Sequence, residues 1–494
     1  MTPTLPLLHS RFARVPDTAV AWRQGAPIAL DRFLADVATL AEALPASGHV
    51  LNVCADRYRF SVGLAAAMVC GQASLLPPST DREMLRQLLL RFPDSYCLTE
   101  TAATAIDLPQ TLYPVERPDA HLDAHPDPRG DRGLAIPLIP ADQIVAHVFT
   151  SGSTGVPVPH TKRWGALVAN VRAEAARLGM TDNANDGDHG ALAIVATVPP
   201  QHMYGLESTV LLAWQSGAAL VAERPFYPAD IIAALDRLAS HRMLVTTPFH
   251  LRALLDNDLV MPTVERVVSA TAPLSQALAA EAERRFRAPL LEIYGCTETG
   301  QIASKRPVET ARWRLFSDVS LNVIDDTAWA SGGHVEEPTA LADAIELADD
   351  FPASREFALI GRAQDLVNIA GKRTSLGYLN THLNAIPGVV DGAFFMPDDV
   401  APDAVTRVGA VVVAPTLDAK RIALALRKRI DPAFLPRPLH LVDALPRNAT
   451  GKVTRAVLDA VLNNLNVRTH EPKHDGASHD SPHNPAHKLS QGRS

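Results

Sequence analysis

Val148-Phe149-Thr150-Ser151-Gly152-Ser153-Thr154-Gly155-Val156-Pro157 is the stretch on which the reading of this chain turns. It ends a β-prone apolar run, Ile144 to Phe149, and then packs four hydroxyl side chains and two glycines into six residues. Glycines let backbone N–H groups converge on an anion with no Cβ in the way, and hydroxyls add donors and metal contacts. That is the chemistry of a phosphate cradle. The same composition also suits a Ser/Gly-rich surface turn. A Walker A loop is excluded, because the Gly-Lys-Ser/Thr ending is absent and Lys162 comes too late for it.

Bulk properties narrow the choices. A chain of 494 residues with 47% hydrophobic content is expected to hold several domains around a large core. A net charge of −8 argues against a protein that coats nucleic acid. Cys54, Cys70, Cys97 and Cys296 are too widely spaced for a disulfide framework or a zinc pattern, and read as buried thiols in a reducing compartment. The start of the chain, Met1 to Val15, has no basic segment followed by a long apolar run. The most apolar window, Val62 to Leu76, reads as a buried helix followed by a strand, not a membrane span. A soluble cytoplasmic protein is expected.

Around the opening loop, strands alternate with helices. Helices are expected over Leu30–Leu44, Met84–Leu90 and Trp164–Leu178, and strands over His49–Val53, Tyr96–Leu98 and Ala193–Val198. The alternation predicts βαβ units on a mostly parallel sheet. Leu206–Trp214 and Pro228–Leu238 continue as helices, and Met243–Thr246, Val267–Ala270 and Leu291–Tyr294 as strands. Ligands gather at the C-terminal ends of parallel strands, which draws attention to His202 and Tyr204. Gly295-Cys296-Thr297-Glu298-Thr299-Gly300 sets a carboxylate between hydroxyls at one such end, suited to a hard cation or to plain solvent. From Trp313 to Asp343 the pattern weakens around a Gly332-Gly333 turn, and Phe357–Ile360 is a strand expected to break at Gly361. A small α/β module follows, and from Val467 a His-rich polar tail is predicted to be disordered.

Four loops taken together resemble the adenylate-forming superfamily of acyl- and aryl-CoA synthetases, carrier-protein ligases, peptide-synthetase adenylation domains and luciferases. Thr150 to Pro157 is similar to its phosphate loop, Tyr294 to Glu298 to its magnesium and nucleotide motif, Gly361-Arg362 to the start of its hinge, and Pro446 to Lys452 to its C-terminal lysine motif. The resemblance implies an α/β fold, with a large N-terminal domain of mostly parallel sheets and helices (1–362), a small mobile C-terminal α/β domain (363–465) and the tail (466–494). It implies ATP and Mg²⁺. Thr150, Ser151, Gly152, Ser153, Thr154 and Gly155 would hold the phosphates, Glu298 with Thr150 the Mg²⁺, and Thr297 the α-phosphate. Tyr294 and Gly295 would face the nucleotide. Asp343 would bind the ribose with help from Arg362, and Lys452 would bridge carboxylate and α-phosphate. Gly371, Lys372 and Arg373 would then meet a pantetheine thiol, on CoA or on a holo acyl carrier protein.

Departures from the family pattern are specific. Val158 stands where the phosphate loop usually continues with Lys, and Gln364 stands at the hinge position. The Gly-Glu-Leu-type segment before Asp343 is missing, and Asp325 to Ala340 looks shortened. The acid pocket is expected to be lined by His202, Met203, Tyr204, Thr247, Pro248, Ser269 and Ala270. That mixture fits an aryl or medium acyl acid better than an amino acid. The segment Leu366 to Leu376 looks similar to stand-alone ligases of aryl-polyene and xanthomonadin-type pigment pathways, which load hydroxybenzoate-like acids onto a carrier protein. A CoA ligase and a non-catalytic nucleotide-binding relative are the alternatives.

Overall fold

The computed structural model describes residues 2–15, 18–101, 106–114, 135–151, 157–180, 191–238, 241–325, 327–362, 366–369, 372–396, 407–447, 453 and 457–463. One compact unit spans Met1–Lys452 and a second spans Val453–Ser494, of which a helical stretch over 457–463 is described. The expected tail and the polar turn at 183–190 lie outside the described residues.

Two large sheets build the N-terminal part. The first runs Pro157–Arg163, Ile144–Ser151, Ala73–Leu76, His49–Asn52, Ser95–Thr99, Gln110–Leu112. All its neighbours are parallel except the first pair, a hairpin. The second sheet has eleven strands among the described residues. At its centre, Leu290–Cys296, Arg266–Ser269, Arg242–Thr246, Ala193–Ala196, Ala219–Val221 and Ala19–Arg23 are parallel, and antiparallel strands close both margins. Strands such as Ala193–Ala196 are buried at every position, as a parallel sheet covered on both faces requires.

A buried cation ties the two sheets together. The helix Arg57–Val69 packs against the first sheet, yet Arg57 sends its guanidinium to the strand ends of the second. It donates to the carbonyls of Ala196 (3.1 Å), Val198 (2.7 Å), Val221 (3.0 Å) and Glu223 (3.0 Å). Burial pulls the Arg57 pKa down to about 10. The four carbonyls hydrogen-bond its two terminal nitrogens, while Nε meets no partner among the described residues.

The small α/β module has its own core, including Val367, Leu379, Leu383, Phe394, Val412, Ile422 and Leu426. Asp391–Phe395 and Gly409–Val413 pair antiparallel, Leu439–Leu441 joins parallel, and helices Leu376–Asn384 and Ala419–Arg427 accompany them. Among the described residues no helix is long and apolar enough to cross a membrane.

The structure refines or corrects four local expectations. The weak region after Trp313 is built of strands: Ser320–Ile324, Thr327–Gly332 and Val335–Ala340 form an antiparallel meander. Each buries only one face, through Leu321, Ala328, Ala330 and Val335, so no long apolar run announces them. The helix expected over Leu206–Trp214 winds as a π-helix at Leu206–Leu211 between α-helical turns. The strand Glu356–Arg362 does not stop at Gly361 but runs to Arg362. It passes so close to Ser375 that a Cβ on Gly361 would lie 2.0 Å from that hydroxyl. Lastly, all four cysteines are free, but Cys70 is exposed and only Cys54 and Cys97 are fully buried.

Candidate active site

The hairpin Ile144–Ser151/Pro157–Arg163 brackets the glycine loop, with Pro157 opposite Ser151 and Val158 opposite Thr150. Gly152, Ser153, Thr154 and Gly155 lie outside the described residues, and Ser151 is described by its backbone. The returning strand carries the unexpected chemistry. Val158, His160 and Lys162 alternate along it and so share a face. His160 Nε2 lies 2.9 Å from Thr150 Oγ1 and 3.6 Å from Glu298 Oε1. Lys162 Nζ donates to the Glu298 main-chain carbonyl at 3.1 Å. Two motifs far apart in sequence, at Thr150 and Glu298, thus meet through His160. Burial holds the His160 imidazole below its ordinary pKa, while the Glu298 charge opposes this.

Glu298 sits in a tight turn between Leu290–Cys296 and Gly300–Lys305, whose register joins Cys296 to Gly300. Two glycines permit the turn. A Cβ on Gly295 would lie 2.2 Å from the Gly300 carbonyl. Gly300 has φ +72°, and a Cβ there would meet Asn170 Nδ2 at 2.2 Å and Glu207 Oε1 at 2.8 Å. Thr299 is buried, and its hydroxyl donates to the Gly300 carbonyl (2.9 Å) and contacts Cys296 Sγ at 3.2 Å. Glu298 itself is exposed, as a carboxylate that meets a ligand must be.

Behind the turn lies a buried polar layer. Asn170 donates to Glu207 (2.7 Å), and Ser208, on the π-helix, donates to Glu174 (2.7 Å). Gln301 donates through Nε2 to the Ser208 hydroxyl oxygen at 2.7 Å. Burial raises the carboxyl pKa values of Glu174 and Glu207 to about 8, with the Lys162 charge opposing the rise at Glu207. π-Helical turns recur at functional sites. Here one turns Glu207 and Ser208 inward, toward the strand that follows Glu298.

The motif's tyrosine reaches the proposed ribose carboxylate. Tyr294 donates its hydroxyl to Asp343 Oδ2 at 2.8 Å, with its ring against Trp313 and Phe357. Asp343 pairs across strands with Arg362, so the two residues expected to share the ribose lie opposite each other on neighbouring strands. Arg362 is described by its backbone, as are Lys372 and Arg373 in the strand Lys372–Ser375. Gly371 and Lys452 lie outside the described residues.

Residues expected on the acid side occupy the strand ends. The Tyr204 hydroxyl is held at 3.1 Å from the carbonyls of both Thr246 and Val268, which leaves its ring as the part a substrate can meet. His202 caps the helical turn after it, accepting from the Tyr204 N–H through Nδ1. Ser269 and Ala270 are buried, and among the described residues Ser269 Oγ meets no hydrogen-bond partner. Thr271 follows with φ +78°, a strained conformation for a β-branched residue. Thr247 caps its helix and bonds His250 Nδ1 at 3.0 Å.

His160 and Lys162 were not among the expected site residues. Their period-two spacing from Val158 was the available signal, since a strand turns alternate residues to one side. As for a cation, an exposed Glu298 carboxylate with the Thr150 hydroxyl is an all-oxygen donor set that fits Mg²⁺, which keeps waters and phosphate oxygens as its other ligands.

The family described as AMP-binding enzyme matches residues 110–328, a span that takes in the glycine loop and the Glu298 turn. That span of the chain is similar to the adenylate-forming superfamily. The chain is 29% identical over 307 residues to a 4-coumarate–CoA ligase of Rhodobacter capsulatus, covering 61% of this chain and 73% of that one. It is 26% identical to a 4-chlorobenzoate–CoA ligase of an Arthrobacter species, covering 64% and 65%. An o-succinylbenzoate CoA synthetase of Bacillus subtilis, solved with its acyl-adenylate, shares the superfamily fold with a TM-score of 0.74 at 17% identity, over 92% of this chain and 98% of that one.

Proposed function

We propose that this protein is an ATP-dependent acid–thiol ligase that activates an aryl carboxylic acid as its adenylate and passes the acyl group to a pantetheine thiol. The observation that carries the reading is the joining of Thr150, His160 and Glu298 at one end of the sheets, beside the Tyr294–Asp343 bond. Those groups match what adenylation needs. The acid's carboxylate oxygen attacks the α-phosphorus of ATP, the bond from the α-phosphorus to the α,β-bridging oxygen breaks, and the β- and γ-phosphates leave as pyrophosphate. The task is positioning and neutralisation of developing charge. Thr150 and the glycine loop would hold the β- and γ-phosphates, Thr297 the α-phosphate, and Asp343 the ribose. Glu298 and Thr150 would hold Mg²⁺, which neutralises phosphate charge when bound. Lys452 is assigned the movable cation that bridges carboxylate and phosphate. In the second step the thiolate displaces AMP from the acyl carbonyl, with Gly371, Lys372 and Arg373 on the acceptor side after the domain 363–465 turns.

The finer assignment is a hydroxybenzoate-like acid loaded onto a holo acyl carrier protein in pigment synthesis, supported by the Leu366 to Leu376 segment. CoA as acceptor is the second reading, favoured by the CoA ligases among the relatives. Pyrophosphate release is measured over a panel of acids, and AMP release is then followed with CoA or with a holo carrier protein. Release with 3- or 4-hydroxybenzoate and none with fatty acids is expected; the reverse pattern overturns the aryl assignment. Consumption of the adenylate by CoA alone overturns the carrier-protein assignment.

A further inference from the structure

Lys162 is 8% exposed, and its Nζ donates to the main-chain carbonyl of Glu298. An ammonium taken out of water is costly unless polar groups replace its hydration. Burial pulls the Lys162 pKa down, and Glu207, Cys296, Glu298 and Glu336, in that order, oppose the fall. Glu207 lies in the buried layer behind the turn, while Glu298 faces outward from the turn itself. Lys162 therefore lies under the Glu298 turn. By contrast, Val158, where the family's loop lysine would stand, is 46% exposed at the mouth of the hairpin. Val158 and Lys162 are four residues apart on one strand, so both point to the same side.

We propose that Lys162 replaces the cation missing at Val158, as a positioning residue that fixes the Glu298 turn for the phosphates of MgATP. The proposal rests on the adenylation reading but concerns only the nucleotide half of the site. Lysine is a compact charge with three donors. From beneath the turn it fixes the backbone that aims the Glu298 carboxylate and adds positive charge behind the phosphates without being displaced by solvent.

A plain structural role, in which Lys162 only balances the buried Glu207, makes a different prediction. The test compares Lys162→Met with the double variant Lys162→Met/Glu207→Gln. MgATP affinity is measured by equilibrium binding without acid, alongside melting temperature. Removing Lys162 alone takes away the charge that favours an ionised Glu207 and is expected to lower the melting temperature above about pH 8, where Glu207 carries its charge; the double variant restores it. The proposal expects MgATP affinity to stay about tenfold weakened in both variants. Full recovery of MgATP binding in the double variant, or unchanged binding in the single one, overturns it. Should the single variant fail to fold, the double variant decides alone. Wild-type protein that binds MgATP but forms AMP with no carboxylic acid overturns the adenylation reading and leaves the role of Lys162 standing. Wild-type protein that binds no MgATP overturns both.

Discussion

Ser269 ends its strand with a hydroxyl that is wholly buried and meets no partner in the described protein. A buried hydroxyl without a hydrogen bond costs stability, so the structure loses little when it is removed. Ser269→Ala is therefore expected to shift unfolding free energy by less than about 1 kcal/mol. If the hydroxyl bonds the acid, the same change raises KM for the acid several-fold and leaves MgATP affinity unchanged. Steady-state kinetics with denaturant unfolding separate the two effects. Tyr204 contrasts with it: its hydroxyl is occupied by two main-chain carbonyls, so Tyr204→Phe is not a probe of substrate contact.

The turn that carries Glu298 is an element held from two sides. Lys162 supports its backbone, and Gly300 admits Asn170 and Glu207 at distances that exclude a Cβ. Gly300→Ala is expected to destabilise the protein by about 1–3 kcal/mol, because the site requires a positive φ and has no room for the methyl. It should also weaken MgATP binding, which a filter-binding or thermal-shift measurement reads. The turn itself was legible in the sequence as Gly-Cys-Thr-Glu-Thr-Gly at a strand end. Its supports were not, because Lys162 and the Glu298 carbonyl lie 136 positions apart and only sheet assembly brings them together. The π-helix Leu206–Leu211 escaped notice for another reason. One inserted residue per turn leaves the apolar spacing nearly that of an α-helix, and the inward Glu207 and Ser208 then look like solvent-facing positions.

Across the molecule, the βαβ alternation was readable because parallel strands buried on both faces show as short apolar runs, such as Ala193–Ala196. The meander from Ser320 to Ala340 was not, since its strands are half-exposed and short. The buried layer of Glu174, Glu207, Ser208 and Gln301 gives the whole fold a pH dependence. Burial raises the Glu174 carboxyl from an ordinary 4.5 to about 8, and Glu207 shifts in the same direction. Between those values the folded chain keeps a proton that the unfolded chain has released. This contribution is complete below about pH 4.5 and is lost as pH rises through about 8. Melting temperature is thus expected to fall between pH 6 and pH 9, and Glu174→Gln, which stays neutral, to flatten that slope. An unchanged slope in the variant would remove Glu174 as its source.

Glu298 and its neighbours are proposed to serve the attack of a carboxylate on ATP. Acid-dependent exchange of labelled pyrophosphate into ATP reports that half-reaction directly, because it requires a reversible adenylate and no thiol. Exchange is expected to depend on an aryl acid and to fall about a hundredfold or more in Glu298→Gln. Exchange that is independent of added acid, or equally fast in the variant, would contradict that role.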